Sequence, residues 1–551
     1  MGIVLTPQQK LTGISAKWTV TALECLCLAA LAIVYISHLG FMPLDIESDE
    51  ARRALVSGEM MISGNYITPT INGELYLNKP PLYNYIVAGY FNLFGNYSMI
   101  AFRLQCIVAV FLTGLLIYFF TKKYTNHIIG FFTALAYMTN GRLLIYESLY
   151  GMIDTTFAMV VYANFMLVFY FGDKGKYKSL FIFSYIACAV AFFLKGLPAL
   201  VFQAITVTTW FGLKKNPRGL FTKDHLYGIA AFLLLALPYY LLFFSYTDVS
   251  LSTVFYTLYN ESEKRTFIGY DLPTFLNHLA VFPFEVLYHF LPWTIFLLAL
   301  FRKNACDIIK QNAFIQFIVW IFLTNIVVYW LSPDVYPKYL FMFVPLLYGT
   351  AFYFYFNHTA ENSWQKKVID IIFISACIIM LVASLALPFT AVINTTDFSY
   401  LKAGFLIAGF MICSFMVIRN RYRPYFFLAA LFLCRAGFNW FVIEQRGERF
   451  FQAEAWANSI ADKTKGKPLY ILEGTDTRNF DGMSFEIATS RNEVLKKSNY
   501  LFPGAYYITD SAGAVKNNMA IDLPFENLPD HNKLYLAHPN NKTVAYLSLP
   551  E

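Results

Sequence analysis

Long apolar segments recur along the first 443 residues of this 551-residue chain. About thirteen of them read as membrane-spanning helices. Their approximate limits are 18–39, 101–120, 127–146, 152–171, 179–194, 196–213, 226–246, 285–301, 314–331, 338–356, 368–387, 399–418 and 424–443. Strands of a lipid-facing barrel would be shorter and would alternate in polarity, so helices are expected. Charged residues make up 14% of the sequence, against roughly 25% in a soluble chain. The predicted fold is an all-α polytopic membrane protein. Residues 82–95 form a shorter apolar run, read as re-entrant or interfacial.

Charge placement gives a sidedness. With the N-terminus and its Lys10 and Lys17 in the cytoplasm, alternate loops carry Lys122-Lys123, Lys174 to Lys178, Lys214 to Lys223, Arg302-Lys303, Lys366-Lys367 and Arg419 to Arg423. All fall on one side, as the positive-inside rule expects. The formal net charge of +7 therefore reflects loop topology, and no nucleic-acid partner is expected. The eight cysteines lie within or beside apolar segments, which argues against a disulfide framework or a Cys-ligated metal. The segment 18–39 lacks a cleavage pattern and reads as a retained helix.

After residue 443 the composition turns polar. PLYILEG (468–474) and AYYITDS (505–511) read as strands of a small α/β or α+β domain, with a helix over 446–465 before them. The expected division is a membrane domain, 1–443, with a functional outer loop at 40–100, and a soluble extracytoplasmic domain, 444–551.

The polar stretch 43–81, between two apolar regions, is where chemistry is expected. It holds six acidic residues (Asp45, Glu47, Asp49, Glu50, Glu59 and Glu74) against Arg52, Arg53 and Lys79. A helix is expected from about Asp49, turns at Gly64-Asn65 and Asn72-Gly73, and a rigid Lys79-Pro80-Pro81 close. Adjacent acids on a helix point about 100° apart, so one of Asp49 and Glu50 faces the cleft as a candidate base. The other is explained by a helix N-terminus favouring negative charge. Lys79 stands before the rigid Pro80-Pro81 pair, and Lys195 and Arg142 fall at predicted outer span ends. Each reads either as an interfacial anchor or, if they converge, as part of a site for an anionic lipid head group. Asp154 lies early in a span on that side, where an ionisable group needs a cavity or a partner; Arg142 is its nearest basic candidate in the sequence. Lys338 and Tyr339 mark another outer span end. The segment 247–272, with Glu261, Glu263, Lys264 and Arg265, is long enough to be a lid.

The run from residue 43 to 95 resembles the first outer loop of GT-C type glycosyltransferases, above all bacterial relatives of protein O-mannosyltransferases and the lipid A aminoarabinose transferases. The matching features are Asp49-Glu50, the Gly64 to Pro69 segment with Tyr66, the Asn72-Gly73 turn and Lys79-Pro80-Pro81. Weaker matches follow at Asp154, Lys195-Gly196-Leu197-Pro198, Leu291-Pro292-Trp293 and Ser332 to Pro345. The resemblance implies inverting transfer of one sugar from a polyprenyl (undecaprenyl) phosphate to a lipid A, protein or other glycan acceptor, at the outer face of a bacterial inner membrane. It implies Asp49 as base or orienting group, with Glu50 and Asp154 orienting neighbours. Lys79, Lys195, Arg142 and Lys338 would bind the donor phosphate, and Tyr66, Pro69, Gly73, Pro80 and Pro81 would shape the loop. It implies no required cofactor and leaves a divalent metal open. Asn78 stands where many aminoarabinose transferases carry an acid linked to a metal site. A transporter or flippase of a lipid-linked sugar is the rival reading, and a polytopic scaffold a third.

Overall fold

The computed structural model describes residues 14–42, 44, 48–263, 269–394, 396–419, 423–527 and 532–540. Lys10, Asp45, Glu47, Lys264, Arg265 and Arg421 lie outside the described residues. The chain divides into two compact units, Met1–Leu39 with Asp370–Gln445, and Gly40–Ile369 with Arg446–Glu551.

Among the described residues eight helices are long and apolar enough to cross a membrane, or up to ten if two bent pairs each form one span. This corrects the expectation of about thirteen. Hydropathy registers apolar length and cannot see bends. The 127–146 segment bends by 46° between His127–Met138 and Gly141–Leu149, where Asn140 caps the second piece by accepting from Leu143 N–H. The 285–301 segment turns through 116° between Leu272–His289 and Trp293–Leu300. Pro198–Leu213 has 16 residues, about 24 Å of helix, short of a hydrocarbon core about 30 Å thick. The 338–356 segment divides into a 3-10 turn, Pro337–Leu340, and a 15-residue helix, Val344–His358.

The first unit is helical. Phe373 and Phe427 stack with ring centroids 4.0 Å apart. Arg423 pairs with Asp370, and Asn439 donates to the Val34 carbonyl at 2.7 Å.

The second unit carries the outer loop. It begins with α1 (Ser48–Ser63), followed by a hairpin of β1 (Thr70–Ile71) and β2 (Glu74–Leu75), then α2 (Leu82–Phe94). Asn72 (φ 51°) and Gly73 (φ 76°) form the two-residue turn, the left-handed pair that such a hairpin requires. The long helices α3 (Met99–Tyr124), α4 (Ile153–Asp173), α5 (Tyr177–Lys195), α6 (Pro198–Leu213) and α7 (Lys223–Tyr246) follow, with α4 and α7 both packed on α5. Helix α8 (Leu251–Glu263) occupies the segment read as a lid.

The C-terminal part is a small α/β domain. Its sheet comprises β3 (Leu469–Leu472), β4 (Lys496–Ser498), β5 (Tyr506–Thr509), β6 (Met519–Asn527) and β7 (Asn532–Pro539), in the order β4-β3-β5-β7-β6. Strand β3 is parallel to β4 and β5, and β7 is antiparallel to β5 and β6. Helix α9 (Asp481–Arg491) packs Met483 and Ile487 into the core with Ile471, Ile508 and Leu536. Its other face lies on the outer loop. Phe485 stacks on Phe91, with centroids 5.9 Å apart, and a Cβ at Gly58 would stand 3.1 Å from the Phe485 ring. Glycine at 58 is what lets α1 and α9 approach.

Candidate active site

Helix α1 presents two adjacent acids with opposite fates. Glu50 is fully buried. Arg103 grips both its oxygens, Nε to Oε1 at 2.8 Å and Nη2 to Oε2 at 3.0 Å, and Gly151 N–H donates to Oε1 at 2.5 Å. Arg103 also donates to the Met42 carbonyl at 2.8 Å. The pair ties α1 to α3 and to the start of α4, and its carboxylate is walled off from any cleft.

Asp49 is 44% exposed. Together with Arg53, Lys79, Asp154, Lys195 and Tyr339 it lines one open cavity, edged by Met152 and Ile153. Arg52 reaches Asp49 Oδ1 with Nη1 at 3.4 Å and Asp481 Oδ2 with Nε at 3.4 Å. Burial pushes the Asp481 carboxyl above its ordinary range, with Arg52 opposing. The C-terminal domain thus holds the residue that holds Asp49.

Lys195 pairs with Asp154, and its Nζ lies 3.8 Å from the centre of the Tyr339 ring. Asp154 therefore takes its partner from the end of α5 rather than from Arg142. Arg142 pairs with Glu147 at 2.5 Å, and Lys338 is another basic neighbour of Glu147. Arg142 and Lys338 do not line the cavity. Lys79 donates to Glu261 on α8 at 3.3 Å.

Lys79 also lines a second cavity, walled by Pro69, Tyr76, Leu77, Pro80, Tyr239, Tyr240, Phe243, Val254 and Leu258. One cavity is charged, the other aromatic and aliphatic, and they share an ammonium. The loop-shaping residues serve this geometry. Pro69 accepts from Tyr76 N–H at 2.8 Å and Pro81 from Tyr85 N–H at 3.0 Å. The Tyr66 carbonyl accepts from the Tyr85 hydroxyl at 2.6 Å. At Gly73 an added Cβ would stand 2.8 Å from Lys496 Cγ.

Two residues carried no role in the sequence reading. Glu59 braces the hairpin, accepting from Thr70 Oγ1 at 2.6 Å, Asn72 N–H at 2.6 Å and Gly73 N–H at 3.3 Å. Burial pushes its pKa up, with these bonds opposing. Arg53 shares a helix face with Asp49 because the two are four residues apart, a signal the sequence did contain. Among the described residues no group of three or more His, Cys, Asp or Glu could hold a metal ion.

Residues 78–242 match the family model described as dolichyl-phosphate-mannose-protein mannosyltransferase. The chain is 29% identical over 209 residues to undecaprenyl phosphate-alpha-4-amino-4-deoxy-L-arabinose arabinosyl transferase 2 of Proteus mirabilis, covering 35% of each. It is 31% identical over 186 residues to the corresponding transferase of Pseudomonas savastanoi, covering 33% of this chain and 34% of that one. The chain thus spans about a third of the length of the curated relatives it matches. In structure it is similar to ArnT from Cupriavidus metallidurans bound to undecaprenyl phosphate, with TM-score 0.66 and 18% identity over 94% of this chain and 98% of that one. The fold is that of this ArnT structure, a helical membrane part with a small C-terminal α/β domain. In sequence, the likeness to these transferases and to the mannosyltransferase model extends over about a third of the chain.

Proposed function

We propose that the chain transfers a single sugar from a polyprenyl phosphate to an envelope acceptor, lipid A, a protein or another glycan, at the outer face of a bacterial inner membrane. The observation that carries this reading is the pairing of cavities through Lys79: a charged one holding Asp49, Asp154 and Lys195, and an aromatic one suited to a prenyl chain. In this reading 1–443 is the membrane domain, its N-terminus cytoplasmic, and 444–551 lies outside the membrane.

Asp49 accepts the proton of an acceptor hydroxyl, or orients an acceptor phosphate oxygen that is already anionic. That oxygen bonds to the anomeric carbon as the bond to the donor phosphate breaks, with inversion. The phosphate departs with the electron pair. Lys79 and Lys195 stabilise its growing charge where protein and lipid screen poorly. Asp154 holds Lys195 in place, and Glu50 fixes α1 through Arg103. Arg142 and Lys338 act from beside Glu147, at one remove.

Lipid mass spectrometry on cells with and without the protein tests this. Loss of the protein should build up a polyprenyl-phosphate sugar and remove one sugar from an envelope acceptor. Identical lipid and acceptor profiles in the two strains would overturn the proposal.

A further inference from the structure

The cations around the cavity differ in what already occupies them. Lys195 is held by Asp154 and Lys79 by Glu261. Arg142 is held by Glu147, and Arg52 is shared between Asp49 and Asp481. Arg53 is different. It is 4% exposed, lines the cavity, and its Nη1 is buried without a hydrogen-bond partner among the described residues. Its guanidinium sits over the Tyr76 ring, 5.5 Å from the centroid. Tyr76, by its charge and as a hydrogen-bonding neighbour, and then Asp49 favour its charged form, while Nη1 stays open among the described residues. The Tyr76 hydroxyl is itself buried and has the Arg53 guanidinium as a polar neighbour. Tyr76 walls the aromatic cavity and Arg53 the charged one.

A buried cation with an open donor is costly unless an anion completes it. A guanidinium fork matches a phosphate, with two parallel N–H donors to two oxygens. Arg53 also lies one turn, about 5.4 Å, beyond Asp49 on the same face.

We propose that Arg53, with the Tyr76 hydroxyl, is the seat of the donor's phosphate, at the boundary between the charged and aromatic cavities. Lys79 and Lys195 then assist from positions where carboxylates already hold them. The seat rests on the donor reading above and extends it to two residues of the outer loop. It places the sugar in the charged cavity beside Asp49 and the prenyl chain along Tyr239, Tyr240 and Phe243.

The test is binding to the purified full chain in lipid nanodiscs, with undecaprenyl phosphate and neutral undecaprenol as probes. Arg53→Met keeps the stem and removes the fork. It should weaken undecaprenyl phosphate binding at least tenfold and leave undecaprenol binding within twofold. Undecaprenyl phosphate binding by R53M within twofold of wild type would overturn the seat while the donor reading stands. A wild-type chain that does not bind undecaprenyl phosphate would overturn both. If R53M is not recovered folded, Arg53→Lys and Tyr76→Phe decide. Each should lose three- to tenfold, and both binding within twofold of wild type would overturn the proposal.

Discussion

Helix α1 has a closed side and an open side. On the closed side every polar atom of the Glu50 and Arg103 fork is matched: two guanidinium bonds, a backbone N–H and a carbonyl. On the open side Asp49 is half exposed, and Arg53 Nη1 meets no hydrogen-bond partner among the described residues. The two acids are neighbours in sequence and share the stabilising field of the helix N-terminus. Saturation of hydrogen bonding, rather than charge or position, separates a group that holds the fold from one left to meet a ligand.

The comparison breaks most sharply at Glu50. Glu50→Ala strands the Arg103 guanidinium in a dry interior, and losing one partner of such a pair costs about 3–5 kcal/mol. The folded yield and thermal midpoint of the purified protein should fall steeply. An unchanged midpoint would make the closed side dispensable. Asp49→Asn should do the reverse. Sugar transfer should drop by about 10²–10⁴-fold, the range for losing a positioned base, while the thermal midpoint stays put. Equal loss of stability in both variants would erase the distinction.

A smaller, pH-dependent effect belongs to Glu59, on the same helix. Burial raises its carboxyl above the ordinary 4.5, so folding favours its protonated form. Its ionisation therefore opposes folding above the raised pKa. That penalty fades as pH falls through the raised value and is gone below the ordinary one. The thermal midpoint of wild type, measured relative to Glu59→Gln, should climb as pH is lowered from 7 towards 4.5. A flat or falling difference would show that the three hydrogen bonds outweigh burial.

Much of this was legible in the sequence, for identifiable reasons. Apolar length and loop charge give a polytopic chain, and the strands 469–472 and 506–509 stand where short β-rich runs occur. Asp49, Lys79, Asp154 and Lys195, spread over nearly 150 positions, line one cavity. Partners across helices were not legible. Asp154 lies nearer Arg142 in sequence and pairs with Lys195 because α4 and α5 pack side by side. The bends that lower the span count arise from local capping and turning inside apolar runs. Glu59 was opaque because its partners lie 11 to 14 residues downstream, reached only once the chain folds back as a hairpin.

The bridge from Asp481 through Arg52 to Asp49 has a practical corollary. The polar tail is no detachable ornament, and cutting the gene before codon 444 would not yield a minimal working chain. The shortened protein would bare the Gly58 and Phe91 surface to water and leave Arg52 free to swing wholly onto Asp49. Chimeras that trade tails between relatives should tolerate the exchange best when the first residue of the incoming α9 is an acid and the recipient carries an arginine opposite it.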